Sequence, residues 1–185
     1  VACYDLGTFP PIECEEAMSA VALETKTLAR RAFEQNGLLI GPTLVDDRKV
    51  AAGAKAMDEV LSGSYDTGRA PVRRSWNPGD DPTRLVKIDQ PQVSSSGIQR
   101  LISNPEIGCA AAEITGAKMI QVWNVQMLFK PPGSALNSVG WHQDQQYWLR
   151  WWTPESVLFT CWLALSDVTA DAGPVKFVSG SHTWG

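Results

Sequence analysis

The apolar residues of this chain change their spacing near residue 117. Before that point they recur every three or four positions, as in the stripe formed by Val50, Ala54, Met57 and Leu61, which is typical of an amphipathic helix. After it, residues 118–130 alternate between two faces and stop at a Pro-Pro-Gly turn, which indicates a β-strand. Helices followed by antiparallel strands predict an α+β fold in which a jelly-roll barrel, a double-stranded β-helix, is backed by N-terminal helices.

Local signals predict the individual elements. Asp46 or Asp47 can cap a helix that ends at Gly63, and Asn104-Pro105 opens another that ends at Thr115-Gly116. The same reasoning predicts helices over 11–33 and 98–102, and strands over 38–40, 157–165 and 175–178. Between them, residues 63–82 are rich in Gly, Pro, Asp, Ser and Arg and predict a long irregular loop, whose arginines Arg69, Arg73 and Arg74 are solvated or pin the loop.

Length and charge limit the classes of function. A chain of 185 residues with 44% hydrophobic content is long enough for one domain, helix-rich over residues 1–117 and strand-rich over 118–185. A net charge of -4 without a basic run argues against nucleic acid or an anionic membrane as partner. The four scattered cysteines form no Cys-x-x-Cys pair and indicate buried or free thiols in a reducing compartment. We therefore expect a cytoplasmic protein that acts on a small molecule.

His142 and Asp144 form the most distinctive polar pair. The chain has only two histidines, and on an extended segment residues two apart point to the same face, so both side chains could reach one ion while Gln143 turns away. An imidazole and a carboxylate, completed by a second histidine, make the facial triad of non-haem Fe(II) oxygenases. By itself the spacing favours an exposed loop pair, or a histidine that is hydrogen-bonded to a carboxylate without metal.

Several motifs occur around this pair in a fixed order, and the chain resembles the phytanoyl-CoA dioxygenase family in that order. They are Glu34–Ile40, Lys130-Pro131-Pro132-Gly133, Gly140–Asp144, Tyr147-Trp148, Trp162–Asp167, Ala172-Gly173-Pro174 and Ser179-Gly180-Ser181-His182. The resemblance implies a dioxygenase that uses Fe(II), 2-oxoglutarate and dioxygen, hydroxylates a small organic molecule, and releases succinate and CO2. It also implies that His142 and Asp144 are two of the three protein ligands to iron.

The resemblance suggests further residues beside 2-oxoglutarate. Gln126, four residues before the Lys-Pro-Pro turn, matches a position that faces this cosubstrate in the family, and its amide could donate a hydrogen bond. Trp162 matches a tryptophan beside the same pocket, and Lys87 matches a lysine near the cosubstrate. Packing in a core competes with the role of Trp162, and simple exposure to water competes with the role of Lys87.

The third iron ligand is the open question of this sequence. In the family, the histidine that matches His182 is not a ligand; the distal histidine and a cosubstrate arginine follow several dozen residues later. We therefore expect this chain to be truncated at the carboxyl end or to be completed by another chain. Two alternatives stay open: a non-catalytic jelly-roll binding module that has lost the complete iron site, and a metalloenzyme without 2-oxoglutarate that uses His142, Asp144 and His182.

Overall fold

The structure is a computed structural model that describes residues 20–133, 139–153 and 156–184. The chain divides into two compact units. The first unit includes Gly41–Asn137, and the second unit combines Met18–Ile40 with Ser138–Gly185. The described part of the chain is an α+β structure with five α-helices and three short strands.

A three-stranded antiparallel sheet forms the centre of the first unit. Its strands are β1 (Arg73–Arg74), β2 (Val86–Asp89) and β3 (Gln126–Phe129), in the order β1-β2-β3. Because side chains alternate across a strand, β2 and β3 present one apolar and one polar face. The apolar face packs with helix α2 (Asp47–Leu61) and helix α3 (Ser96–Ile102) in a core formed by Ala56, Val60, Val86, Ile88, Ile98 and Met127.

The helix boundaries of the first unit follow from local hydrogen bonds. Asp46 caps α2 by accepting from the backbone N–H of Lys49 at 3.0 Å, and this bond holds the pKa of Asp46 below its usual value. Helix α4 (Pro105–Thr115) is capped by Asn104 and ends at Gly116, which adopts a left-handed φ of 71°. The predicted caps and ends of α2 and α4 are thus confirmed to within two residues.

Asp66 joins the long loop to the start of α3. Its carboxylate accepts hydrogen bonds from the hydroxyl and from the backbone N–H of Ser96. These bonds, the hydroxyl bond foremost, lower the pKa of Asp66. Since the pKa is lowered by folding, the contribution of Asp66 to stability is present above its unfolded pKa and disappears as the pH falls through its folded pKa.

Arg74 pins the same loop to the end of α2. Its guanidinium donates to the carbonyl oxygens of Val60 at 3.0 Å and Leu61 at 2.8 Å, and to the Tyr65 hydroxyl at 2.6 Å. It also donates to the carbonyl of Trp76 at 3.1 Å. The last carbonyls of a helix have no partner within the helix and carry partial negative charge, so a cation is favourable there. The expected pinning role of the loop arginines therefore holds for Arg74.

The second unit has little regular structure. It contains helix α1 (Ala20–Asn36), the single-turn helix α5 (Gln145–Trp148) and two 3₁₀ turns. An edge-to-face contact with ring centroids 6.5 Å apart joins Phe33 of α1 to Phe159. None of its described side chains is fully buried.

Several predicted elements differ from the structure. Residues 38–40, 157–165 and 175–178 form no strand, and β3 covers four residues of the alternating segment 118–130. A strand is stabilised by a hydrogen-bonded neighbour, and those segments have no such neighbour within the described ranges. The structure therefore shows an open sheet, and the complete jelly roll remains a proposal. The predicted helix 11–33 corresponds to α1, and the part before residue 20 lies outside the described residues.

Two further findings concern the cysteines and the helices of the described residues. Cys109 is disulfide-bonded, so the expectation of free thiols is wrong for this residue, whereas Cys161 is a free thiol. No helix in the ranges that the structure describes has the length and apolar character needed to cross a membrane.

Candidate metal centre

His142 and Asp144 lie together in the segment that leads into α5. Nε2 of His142 is 3.2 Å from Oδ1 of Asp144, and the two side chains are 31% and 40% exposed. The residue between them turns away, because the Gln143 amide donates to the carbonyl of Ser181 at 2.6 Å. The structure therefore brings this predicted pair together with the orientation that the spacing suggested.

The surroundings of His142 fix the orientation of its ring. Nδ1 lies 2.7 Å from the carbonyl oxygen of Gly140, and an oxygen of this kind can only accept, so Nδ1 carries a proton. The ring of Tyr147 packs against the imidazole edge to face, with centroids 5.7 Å apart. In the neutral tautomer Nε2 then presents a lone pair to Asp144. Two lone pairs that face each other at 3.2 Å repel unless a proton or a metal ion lies between them.

The two donor atoms have the separation of adjacent metal ligands. When metal–ligand bonds of about 2.1 Å meet at a right angle, the ligand atoms lie about 3.0 Å apart. The observed distance between Nε2 of His142 and Oδ1 of Asp144 is 3.2 Å. An imidazole and a carboxylate are also the donors that iron sites of the facial-triad type use. The residues present therefore fit two positions on one iron ion.

A third protein ligand is not found in the described part of the chain. There, no group of three or more His, Cys, Asp or Glu side chains is arranged to hold a metal ion. The described residues thus supply two of the three ligands of a facial triad.

His182, the second histidine, has a different environment. Its Nε2 lies 3.0 Å from the carbonyl oxygen of Glu34, near the end of α1. The neighbouring Gly180 donates its N–H to the carbonyl of Asn36 at 2.8 Å, and the Ser179 hydroxyl donates to the Asn36 side chain at 2.8 Å. The segment Ser179–His182 therefore binds the end of α1, and this weighs against a three-ligand site made from His142, Asp144 and His182.

Lys87 and Gln126 lie on the polar face of the sheet in the first unit. Gln126 is opposite Asp89 in the β2–β3 pair and donates its amide N–H to the Asp89 carboxylate at 2.8 Å. Lys87 is exposed on the same face, beside a recess of about 110 Å³ that Arg73, Ser75 and Asp89 also line. The structure thus groups these two predicted cosubstrate residues.

Trp162 belongs to the second unit, like the metal pair. Its side chain is 47% exposed, so it is not packed in a core. The preceding Cys161 has a partly covered thiol, and this burial raises the pKa of the thiol, which therefore stays protonated at neutral pH.

Sequence reasoning missed one functional neighbour of the metal pair. The hydroxyl of Thr160 donates to Oδ2 of Asp144, the carboxylate oxygen that does not face His142. In the sequence, Thr160 was only a polar residue of a predicted strand, sixteen positions after Asp144. The available signal was the position of Thr160 two residues before Trp162. A hydrogen bond between residues sixteen positions apart, however, depends on the tertiary fold.

Comparison with known proteins adds the family. The model of the family described as phytanoyl-CoA dioxygenase matches residues 33–185, and this range contains His142, Asp144, Lys87, Gln126 and Trp162. No curated protein and no solved structure matches the chain. The matched family has a jelly-roll fold, and its members are typically oxygenases that depend on Fe(II) and 2-oxoglutarate. With more than four fifths of its residues covered by this match, the chain belongs to the phytanoyl-CoA dioxygenase family.

Proposed function

We propose that this protein is an Fe(II)- and 2-oxoglutarate-dependent dioxygenase that hydroxylates a small organic molecule and releases succinate and CO2. The observation that carries the proposal is the pairing of His142 and Asp144, whose donor atoms lie 3.2 Å apart in the segment that the family match covers. The orientation of the imidazole by Gly140 supports it, because it leaves Nε2 available to a metal.

In this proposal His142 Nε2 and Asp144 Oδ1 hold the iron together with a third ligand that the described residues do not supply. The bound iron and 2-oxoglutarate supply the oxidising chemistry with dioxygen, and the protein orients them. The Gly140 carbonyl accepts the proton on Nδ1 of His142, so that Nε2 is the ring nitrogen directed towards the metal.

We also propose that Lys87, Gln126 and Trp162 contact 2-oxoglutarate. Lys87 is exposed on the polar face of the sheet and carries a positive charge. A carboxylate of 2-oxoglutarate is a suitable counter-ion for such a charge, and this supports the proposed contact. Gln126 can offer an amide N–H, although it must then give up or share its bond to Asp89. Replacing Lys87 by Met should raise the KM for 2-oxoglutarate more than it changes kcat.

The proposed location is the cytoplasm, because a reducing interior keeps iron in the Fe(II) state and supplies 2-oxoglutarate. The disulfide at Cys109 is the observation that stands against this location, since disulfides are rare in reducing compartments. A count of reactive thiols in protein isolated directly from cells decides the point: the cytoplasmic proposal requires Cys109 to react.

A second candidate function is a non-catalytic binding module with the same scaffold. The observation that favours it is that the described residues contain no three-ligand metal group. A module of this kind would bind 2-oxoglutarate or another small molecule without converting it.

Turnover of 2-oxoglutarate separates the two functions. With Fe(II) and dioxygen present, the full-length protein should form succinate, and His142→Ala should abolish that product. His182→Ala is the matched control. It should retain turnover at temperatures at which circular dichroism shows that it is folded. Binding of 2-oxoglutarate without succinate would support the module, and equal turnover in His142→Ala would refute the ligand assignment.

A further inference from the structure

We propose that Thr160 is a positioning residue that sets which oxygen of Asp144 binds the metal. The proposal rests on the proposed function, because it requires Asp144 to be a ligand. It adds a residue that neither the His-x-Asp motif nor the family match singles out, and it follows from one side-chain contact and from the chemistry of the carboxylate.

The two oxygens of Asp144 have different partners. Oδ2 accepts the hydroxyl hydrogen of Thr160, and Oδ1 faces Nε2 of His142 at 3.2 Å. No other side chain in the described ranges makes a hydrogen bond to this carboxylate. Thr160 therefore occupies one oxygen and leaves the other directed towards the position where the histidine lone pair also points.

The hydrogen bond from Thr160 restricts rotation of the Asp144 side chain, which burial does not restrict. The Asp144 side chain is 40% exposed, so packing leaves it several orientations, and each ordered rotamer costs conformational entropy. A threonine is restricted at χ1 by its branched β-carbon, which makes it a better-ordered donor than a long side chain. The bond thus orders the carboxylate before the metal arrives, and it disfavours bidentate binding through both oxygens.

Loss of the hydrogen bond from Thr160 to Asp144 should lower the affinity of the site for a metal ion. Hydrogen bonds to metal ligands from a surrounding shell typically change metal affinity by 10- to 100-fold when they are removed. Because Thr160 is exposed, its removal should change the stability of the metal-free protein little. A weakened metal complex with an unchanged apoprotein therefore distinguishes positioning from a merely structural contribution.

The test uses Mn(II), a redox-stable substitute for Fe(II), and the full-length protein. Titration followed by the electron paramagnetic resonance signal of free Mn(II) gives the dissociation constant. Thr160→Val keeps the shape but lacks the donor, and should weaken Mn(II) binding by about 10- to 100-fold. Thr160→Ser keeps the hydroxyl and should restore affinity to within about threefold of the wild type. Thr153→Val removes a hydroxyl that faces Ser156 instead, and should leave the affinity unchanged.

The outcomes separate this inference from the proposed function. Tight Mn(II) binding by the wild type and by Thr160→Val alike would overturn the role of Thr160 while leaving the iron site intact. Failure of Thr160→Ser to restore affinity would overturn it as well, since the hydroxyl is the group required. Absence of Mn(II) binding in the wild type itself would overturn both proposals. Thermal unfolding of the metal-free variants, expected to match within about 2 °C, checks that each is folded.

Discussion

The two units of this protein are stabilised in different ways. All nine buried hydrophobic residues of the described ranges belong to the first unit, and six of them form the core between the sheet and helices α2 and α3. In the second unit no described side chain is fully buried, and large apolar residues such as Trp141 and Phe177 are more than 60% exposed. There, individual hydrogen bonds fix the functional segments, for example those between Ser179–His182 and the end of α1.

This difference in stabilisation determines which unit can present accessible, oriented polar side chains. Burial of apolar surface stabilises the first unit at about 25 cal/mol for each Å² removed from water, without regard to direction. The second unit keeps polar side chains accessible and orients them by directional bonds, as with Gly140 to His142 and Thr160 to Asp144. A metal ligand needs an accessible lone pair in a defined direction, and hydrogen bonds provide that direction.

The largest expected contrast is between two isoleucines. Ile88 is completely buried in the first unit, and Ile40 is 89% exposed in the second. Ile88→Ala should lower the free energy of unfolding by about 2–5 kcal/mol through lost burial and a residual cavity. Ile40→Ala should change it by less than about 0.5 kcal/mol. Urea denaturation followed by far-ultraviolet circular dichroism measures both, and equal losses would refute the contrast between the units.

A smaller effect is expected at neighbouring arginines. Arg74→Met removes the donor from the carbonyls of Val60 and Leu61 at the end of α2, and should cost about 2 kcal/mol. Arg73→Met is the matched control, because Arg73 is exposed and has no hydrogen bond from its side chain to the described residues. Hydrogen exchange at the last turn of α2 should quicken only in Arg74→Met. Unchanged exchange there would show that the loop is held by other contacts.

The smallest of the three effects tests the second unit. Gly37 has a φ of +72°, and a β-carbon at this position would collide with the His182 ring. Gly37→Ala should cost about 1–2 kcal/mol from the backbone conformation alone. It should also release the amide of Gly180 from Asn36, so that this amide exchanges faster. Gly41→Ala, at a position with open space and no left-handed φ, should leave stability and exchange unchanged.

The parts of the structure that the sequence predicted are those fixed by neighbours in the chain. Asp46, Asn104 and Gly116 act within one turn of their own helices, so the limits of α2 and α4 could be predicted. The strands over 157–165 and 175–178 were wrong, since a strand depends on a distant partner that local alternation cannot supply.

The same distinction between contacts of chain neighbours and contacts of distant residues applies to the candidate site. The proximity of His142 and Asp144, with Gln143 turned away, agrees with the expectation from their spacing in the sequence. The Thr160 contact and the pinning role that distinguishes Arg74 from Arg73 could not be predicted, because each joins positions that are nine or more residues apart through the fold.

The central claim is that His142 and Asp144 hold iron, and anaerobic Fe(II) titration calorimetry of the two histidine variants tests it most directly. Both variants are compared at a temperature where circular dichroism shows them folded. His142 faces the Asp144 carboxylate, whereas His182 is bound to the Glu34 carbonyl. We predict that His142→Ala loses Fe(II) binding and that His182→Ala retains the wild-type affinity within about threefold. Wild-type affinity in His142→Ala would contradict the account.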